Sequence, residues 1–303
     1  MSENSVKKPR VKFSVVIPLY NKEKSIKRTI NSVLEQAFQD FELIVVNDGS
    51  TDDSLQVVRG INDPRIRIID KSNGGVSSAR NRGIAEAKNE WIALLDGDDL
   101  WLPNHLENLA KAIEMFPSHK VFYTGWTTDR EKCFESFGSS FAFEVGNYFR
   151  FANQGKGINS SVICFHESVS KQGFCFCETL SFGEDVELWC RFAKAFLIVL
   201  VAPVSGVYRL KTENNSLKKG RDLTKTFIWH ADVFRVSDNE ELKFYRTMYF
   251  HELYSNLGQR NFFLLVKRYH GWALLGFLRF VFIFNWNRGK RILRRFRKQK
   301  KLK

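Results

Sequence analysis

The sequence predicts an α/β fold built on a mostly parallel, doubly wound sheet with helices on its faces. Apolar, strand-like runs alternate with helical patterns over the first 125 residues, the connections between them are short, and clusters of polar residues follow the strands directly. Alternation of this kind is typical of parallel sheets joined by right-handed crossovers.

The predicted strands are short runs rich in Val, Ile, Leu and Phe, the composition of buried strands in parallel sheets. They are residues 13–17, 41–46, 65–69, 91–95 and 121–123. The predicted helices have apolar residues at helical spacing or a helix-starting residue such as Pro103. They are residues 25–37, 52–59, 76–87 and 103–116.

The rest of the chain is less regular. Residues 130–182 are rich in Phe, Gly, Ser and Asn and predict long loops with edge strands, followed by a helix at 186–195 and a strand at 197–201. From about residue 222 the pattern is helical. We therefore predict a catalytic α/β domain of residues 1–212 and a helical C-terminal extension of residues 213–303.

The net charge of +14 arises in the C-terminal tail, which we define as residues 253–303. This tail has 14 Lys and Arg residues and no Asp or Glu, whereas residues 1–252 have 33 basic and 33 acidic residues. Aromatic segments precede the basic end, a pattern that predicts docking on an anionic membrane surface. Ordinary core packing of the aromatic segment and a solvated basic end are the alternatives. No recognition fold carries the basic residues, so we predict no nucleic-acid partner.

The sequence predicts a cytoplasmic protein that is peripheral at the inner face of the cell membrane. Its five cysteines are an odd number without the spacing of a disulfide framework, and residues 1–12 lack an apolar signal core. No stretch of about 18 uncharged apolar residues is present to predict a membrane-spanning helix. The sequence gives no indication of the oligomeric state.

The polar clusters follow the first four predicted strands, at residues 18–21, 47–52, 73–83 and 96–99. Ligands of open α/β sheets bind outside the carboxyl ends of the strands. We therefore expect these clusters to line one crevice. Their chemistry suits a nucleoside diphosphate, with Tyr20 stacking on a base, Asp48 accepting from a ring N–H and Arg80 reaching base, ribose or phosphate. A rim aromatic, a simple turn and a solvated helix residue are the alternatives.

Asp96-Gly97-Asp98-Asp99 places three carboxylates in four residues after a buried strand. A divalent cation would neutralise them, and hard oxygen ligands suit Mg²⁺ or Mn²⁺. The alternative is an ordinary Asp-Gly turn. In the nucleotide interpretation, the cation bridges the two phosphates of the ligand.

These motifs resemble those of the family 2 glycosyltransferases with the GT-A fold, a Rossmann-like, mostly parallel sheet. The matching segments are residues 14–21, 46–52, 75–83, 96–99 and 183–189. The resemblance implies inverting transfer of a sugar from a nucleotide sugar, a UDP-sugar in our prediction. It implies donor contacts at Pro18, Tyr20, Asp48, Arg80 and Asp96. It further implies a ribose or metal contact at Asp98 and a direct metal ligand at Asp99. Within the family, however, the aspartate that touches the cation varies among these three positions, Asp96, Asp98 and Asp99.

The resemblance also implies that Asp185 is the catalytic base, with Glu184 its neighbour contacting acceptor or donor. The alternative is that both carboxylates are stabilised at a helix N-terminus by the helix dipole. The Gln-x-x-Arg-Trp motif and spanning helices of the family's processive synthases are not found. The sequence therefore predicts addition of a single sugar.

The predicted function is transfer to a saccharide or lipid-linked acceptor in the synthesis of a cell-surface glycan such as lipopolysaccharide or capsule. One alternative is a sugar-phosphate nucleotidyltransferase, which normally has a Gly-rich loop where this chain has Pro18-Leu19-Tyr20-Asn21. The other is a non-catalytic, membrane-associated adaptor with a degenerate transferase fold, against which the retained aspartates argue.

Overall fold

The computed structural model describes residues 11–128, 136–209, 222–231 and 236–255. The chain divides into two compact units, one of residues 1–217 with 225–227 and one of residues 218–224 with 228–303. The predicted boundary between residues 212 and 213 lies outside the described residues. The assignment of residues 1–212 and 213–303 to two domains therefore stays a prediction.

The first unit contains the sheet and seven helices of the described chain. The strands are β1 (Phe13–Leu19), β2 (Phe41–Asp48), β3 (Ile66–Lys71), β4 (Trp91–Leu94), β5 (Leu100–Trp101), β6 (Val121–Thr127), β7 (Ala142–Val145), β8 (Ile163–His166) and β9 (Ile198–Val207). The helices are α1 (Ile26–Leu34), α2 (Ser54–Arg59), α3 (Val76–Ala85), α4 (His105–Met115), α5 (Tyr148–Asn153), α6 (Glu167–Lys171) and α7 (Glu184–Ala195). Later in the chain come α8 (Phe227–His230) and α9 (Asn239–Ser255).

The strands form one sheet in the order β3-β2-β1-β4-β8-β6-β9-β5, with β7 beside β9. β1 pairs parallel to both β2 and β4, and β2 pairs parallel to β3. The carboxyl ends of these four strands therefore meet at one edge, which we call the carboxyl edge. The predicted α/β architecture is confirmed.

Beyond β4 the sheet is mixed, because β8 pairs antiparallel to both β4 and β6. Residues 130–182 were expected to contribute loops and edge strands, and for β8 that prediction is wrong. The β8 residues Ile163, Cys164 and Phe165 are apolar and fully buried, which suits a position inside the sheet. A strand with neighbours on both sides has both rows of backbone groups hydrogen-bonded.

The two faces of β1 pack against different helices, as its alternating side chains require. Val15 and Ile17 belong to the same buried cluster as Ile26 and Ile30 of α1. On the other face, α3 approaches β1 so closely that a Cβ atom at Gly83 would collide with the Val16 side chain. These contacts hold α1 and α3 against the two faces of β1.

Among the described residues, we find no helix that is both long enough and apolar enough to cross a membrane. The chain after residue 255, which is nearly all of the C-terminal tail, lies outside the described residues. Contact of the C-terminal tail with a membrane therefore stays a prediction.

Candidate active site

Asp48, the last residue of β2, organises the loop that follows β3. Its Oδ1 atom accepts hydrogen bonds from Lys71 Nζ at 2.6 Å and from the Gly74 N–H at 2.9 Å, and its Oδ2 atom accepts one from the Gly75 N–H at 2.8 Å. Gly75 has a φ of 88°, which favours glycine. A carboxylate accepts about four hydrogen bonds, and three are used here. The Asp48 side chain is 3% exposed, and its contact with a ring N–H stays a prediction.

The loop after β1 is tied to the loop after β2 through Asn21. The Asn21 N–H donates to Ser50 Oγ at 3.1 Å, and Asn21 Oδ1 accepts from the Thr51 N–H at 2.8 Å. Pro18 lies within β1, and the side chain of Tyr20, just after the strand, is 42% exposed. Tyr20 therefore presents aromatic surface at the carboxyl edge, as stacking on a base would require.

The acidic loop, Asp96–Asp99, follows β4, and two of its carboxylates form ion pairs with basic side chains. Arg80 Nη2 lies 2.7 Å from Asp96 Oδ1, and Lys22 Nζ lies 2.5 Å from Asp98 Oδ2. The Asp96 and Asp98 side chains keep 27% and 15% of their surface exposed. Both carboxylates can therefore be reached by a ligand.

Asp99 is placed differently, with no exposed surface. Its Oδ2 atom accepts from Ser161 Oγ at 2.5 Å and its Oδ1 atom accepts from the Arg209 N–H at 2.9 Å. Burial, and next the charge of Asp96, raises the pKa of Asp99 to about 8, against the opposing effect of these two hydrogen bonds. Both oxygens of Asp99 accept hydrogen bonds from the protein in this structure, and its role as a direct metal ligand stays a prediction.

Arg80 lies between two carboxylates and not on an exposed surface. Besides Asp96, it contacts Glu184 Oε1 through Nη1 at 3.0 Å, and its guanidinium carbon lies 5.0 Å from the centre of the Phe176 ring. Burial alone would lower the pKa of Arg80, but the charges of Asp96, Glu184 and Asp185 raise it above its ordinary value. The Arg80 side chain is 4% exposed and supports the two carboxylates in this structure, and its predicted direct contact with the donor stays a prediction.

Glu184 and Asp185 open α7 directly after Gly183, whose φ of 74° turns the chain into the helix. Burial, and next the charge of Asp185, raises the pKa of Glu184, whereas Arg80 opposes that shift. Asp185 Oδ2 accepts from Ser160 Oγ at 3.2 Å, and Asp185 Oδ1 accepts from the Val186 N–H at 2.7 Å. Asp185 is half-buried, so a ligand hydroxyl can approach its carboxylate.

The predicted residues form two adjoining groups at the carboxyl edge. The first group holds the carboxylates and their arginine: Arg80, Asp96, Asp98, Asp99, Glu184 and Asp185. The second group holds Pro18, Tyr20 and Asp48. Lys22 lies between them, because its side chain contacts Asp98 while its N–H donates to Ser54 Oγ, at the start of α2, at 2.6 Å.

The donor set fits a cation that is shared with a phosphate ligand. Among the described residues, no three His, Cys, Asp or Glu side chains are grouped closely enough to hold a metal ion by themselves. Mg²⁺, however, is usually bound through one or two carboxylates together with substrate phosphates and water. Asp96 and Asp98 are exposed enough to supply those carboxylates, whereas Asp99 is buried in this structure.

The sequence interpretation missed several residues of the site, namely Lys22, Ser160, Ser161 and Phe176. Ser160 and Ser161 lie in a region whose Gly, Ser and Asn content predicted only loops. Their hydroxyls have roles only because β8, which follows them, is paired with β4. No pattern in the local sequence signals that pairing.

An open α/β sheet with an acidic loop and a buried arginine at its carboxyl edge is the type of site that binds charged, phosphate-containing ligands. A sequence model described as Glycosyl transferase family 2 matches residues 14–173, more than half of the chain. The chain belongs to glycosyl transferase family 2. The predicted family is therefore confirmed.

The relatives are similar to this chain over parts of their lengths. A glycosyltransferase of Rickettsia bellii is 33% identical over 210 residues, which are 68% of this chain and 30% of that protein. Chondroitin synthase of Pasteurella multocida is 40% identical over 119 residues, which are 39% of this chain and 12% of that protein. This chain thus spans less than a third of either curated relative.

Solved structures of TarS from S. aureus share the fold. TarS residues 1–349 in complex with UDP has a TM-score of 0.57 and 25% identity, covering 66% of this chain and 61% of that one. The complex with UDP-GlcNAc has a TM-score of 0.60 and 22% identity, covering 82% and 68%. The predicted GT-A type of α/β fold is confirmed by this likeness.

Proposed function

We propose that the chain transfers a single sugar, with inversion, from a nucleotide sugar to a saccharide or lipid-linked acceptor in the synthesis of a cell-surface glycan. The observation that carries the proposal is the contact of Arg80 with both Asp96 and Glu184. This contact joins the acidic loop to the helix on which Asp185 lies. In this proposal, the acidic loop binds the donor phosphates and Asp185 acts as the base for the acceptor.

The donor in this proposal is a UDP-sugar. The TarS structure with 25% identity to this chain is a UDP complex, which supports uridine as the base. The exposed ring of Tyr20 can stack on a base, and the remaining acceptor capacity of Asp48 can take a ring N–H. Pro18, near the end of β1 and two residues before Tyr20, is the third residue assigned to this contact in the proposal.

Asp96 and Asp98 would hold Mg²⁺ or Mn²⁺ together with the diphosphate of the donor. When bound, the cation supplies positive charge to the phosphate oxygens of the leaving group. Lys22 contacts Asp98, so an ammonium group is available beside the same phosphates. Arg80 keeps Asp96 in place from the protein side.

Asp185 is the proposed base. As the acceptor hydroxyl oxygen forms a bond to the anomeric carbon, its proton passes to the Asp185 carboxylate. The bond between the anomeric carbon and the phosphate oxygen breaks, and the diphosphate leaves with the electron pair. A single displacement of this kind inverts the anomeric centre, and Asp185 returns its proton to water afterwards.

The C-terminal tail and the two-domain division complete the proposal. Residues 1–212 would carry the reaction, and the helical extension of residues 213–303 would hold the chain on an anionic membrane surface through its aromatic and basic residues. A lipid-linked acceptor would be found at the same membrane surface. Docking of this kind would place the protein at the inner face of the cell membrane.

A donor panel tests the proposed function. The full chain is incubated with Mn²⁺ and, in turn, UDP-glucose, UDP-GlcNAc, UDP-galactose, GDP-mannose and dTDP-rhamnose, and release of the nucleoside diphosphate is measured. We expect release from one UDP-sugar, accelerated by a saccharide acceptor and abolished by EDTA. Release from no donor would contradict the proposal, and release of pyrophosphate from UTP and a sugar phosphate would favour a nucleotidyltransferase instead.

A further inference from the structure

Two adjacent serines contact the two acidic parts of the site. Ser160 Oγ donates to Asp185 Oδ2 at 3.2 Å, and Ser161 Oγ donates to Asp99 Oδ2 at 2.5 Å. Both serine residues are 2% exposed. Neighbouring Cα atoms are about 3.8 Å apart. The residue that contacts Asp185, the proposed base, is therefore joined by one peptide unit to the residue that contacts the acidic loop.

Ser161 contacts both ends of the acidic loop. Its hydroxyl donates to Asp99 and accepts a hydrogen bond from the Asp96 N–H at 3.1 Å. A hydroxyl has one donor and two acceptor positions, so these two contacts are compatible. The Ser161 carbonyl also accepts from Trp101 Nε1 at 2.6 Å, which anchors the segment just beyond the loop. Ser161 therefore sets the shape of the loop that presents Asp96 and Asp98.

The serine turn, Asn159–Ser161, is itself held in place. Asn159 Oδ1 accepts from the Ser161 N–H at 2.8 Å and so caps the short 3-10 helix that starts at Ser160. This helix runs directly into β8, which is hydrogen-bonded to β4 on one side and β6 on the other. β4 leads into the acidic loop. The serine turn and the acidic loop are therefore attached to β8 and β4, which pair with each other at the centre of the sheet.

We infer that Ser160 and Ser161 are positioning residues that hold Asp185, the proposed base, and the acidic loop at a fixed separation. The inference rests on the proposed function, because it acts through Asp185 and the acidic loop. Ser160 orients the carboxylate of Asp185 towards the acceptor hydroxyl. Ser161 holds the acidic loop in the shape that presents Asp96 and Asp98 to the donor phosphates. The two serines thus serve two different steps, proton removal and donor binding.

Two alanine variants test this division of roles. Ser160→Ala removes the contact to Asp185 and leaves the Ser161 contacts in place. We expect its kcat to fall about ten- to hundredfold, the effect of losing a hydrogen bond to a charged group, while its Kd for UDP in Mn²⁺ stays that of the wild type. Ser161→Ala should instead raise the Kd for UDP by about fivefold, the effect of losing one ordinary hydrogen bond. Isothermal titration with UDP gives Kd, and diphosphate release from the donor selected by the panel gives kcat.

Ser205→Ala is the matched control, because Ser205 is also fully buried and bonds a side chain, His105 Nδ1, at 2.9 Å. It should change neither kcat nor the Kd for UDP, and near-UV circular dichroism records folding for each variant. Unchanged kcat in Ser160→Ala, or a loss that accompanies loss of the near-UV signal, would overturn the inference. A wild-type chain without turnover of any donor would instead overturn the proposed function itself.

Discussion

Arg80 Nη1 lies 3.0 Å from Glu184 Oε1, and this ion pair joins α3 to the first residue of α7. The second terminal nitrogen of the same guanidinium contacts Asp96 at 2.7 Å. A planar guanidinium presents its donors in a rigid fork, so it can fix the directions of two carboxylates at once. The buried guanidinium of Arg80 therefore holds the acidic loop and the start of α7 together.

We expect Arg80→Met to destabilise the protein strongly. The substitution leaves Asp96 and Glu184 without their buried counter-ion, and breaking a buried pair in this way costs about 3–5 kcal/mol. Urea unfolding followed by circular dichroism measures the loss. Arg82→Met is the control, because Arg82 lies on the same helix with its side chain 51% exposed and pairs with Glu86. Equal stabilities of the two variants would contradict the assigned role of Arg80.

We expect Lys22→Met to tighten the binding of Mn²⁺ in the absence of nucleotide. The Lys22 ammonium lies 2.5 Å from Asp98 Oδ2 and competes with a cation for that carboxylate. An ion pair at this degree of exposure contributes about 1 kcal/mol, so the affinity should rise roughly fivefold. Electron paramagnetic resonance of free Mn²⁺ gives the affinity. Lys24→Met removes the same charge from an exposed position nearby and should have little effect. Weaker binding in Lys22→Met than in Lys24→Met would contradict the prediction.

We expect His105 to make the folded protein sensitive to acid. Burial lowers the pKa of His105 to about 3, against an ordinary value of about 6.5 in an unfolded chain. Between these pH values the unfolded chain binds a proton that the folded chain does not, so the free energy of unfolding falls as the pH falls. The slope for one proton is about 1.4 kcal/mol per pH unit.

The variant His105→Asn should not lose stability in this way, because an Asn side chain does not bind a proton in this pH range. Between pH 6 and pH 4.5 its free energy of unfolding should decrease by about 2 kcal/mol less than that of the wild type. Urea titrations at the two pH values measure the difference. His230→Asn, at an exposed position, serves as the control. The same decrease in wild type and His105→Asn would rule out a buried neutral imidazole.

Deleting residues 261–303 should release the protein from membranes. This segment holds thirteen of the fourteen Lys and Arg residues of the C-terminal tail, and each basic residue near an anionic surface contributes about 1 kcal/mol. Co-sedimentation with phosphatidylglycerol-containing vesicles measures binding, and phosphatidylcholine vesicles are the control. Equal sedimentation of the full and shortened chains with anionic vesicles would refute membrane docking by the tail.

The parallel half of the sheet was predictable because its signals are local. Each strand from β1 to β4 is an apolar run that ends in a polar cluster, as Val46 is followed by Asn47 and Asp48. Parallel register then brings the strand ends to one edge without any further information. The position of β8 was not predictable in this way, because its antiparallel pairing with β4 joins residues more than 70 positions apart, such as Trp91 and His166.

The roles within the acidic loop could not be read from the sequence either. Asp96, Asp98 and Asp99 are equivalent as residue types, and only the turn of the loop decides which carboxylates face solvent. The structure buries Asp99 against Ser161 and leaves the other two exposed in part. Arg80 was likewise identified as important, but its burial between carboxylates depends on α7, which begins about a hundred residues later in the chain.

The most direct test of the account compares Asp185→Asn with the wild type on the donor selected by the panel. Loss of the base should lower kcat by about 10²- to 10⁴-fold and leave the Kd for UDP unchanged, because Asp185 is assigned to the acceptor. Glu187→Gln, an isosteric change on the same helix at a residue paired with Arg191, should keep its activity. Full turnover by Asp185→Asn would contradict the assignment of this carboxylate and, with it, the proposed active site.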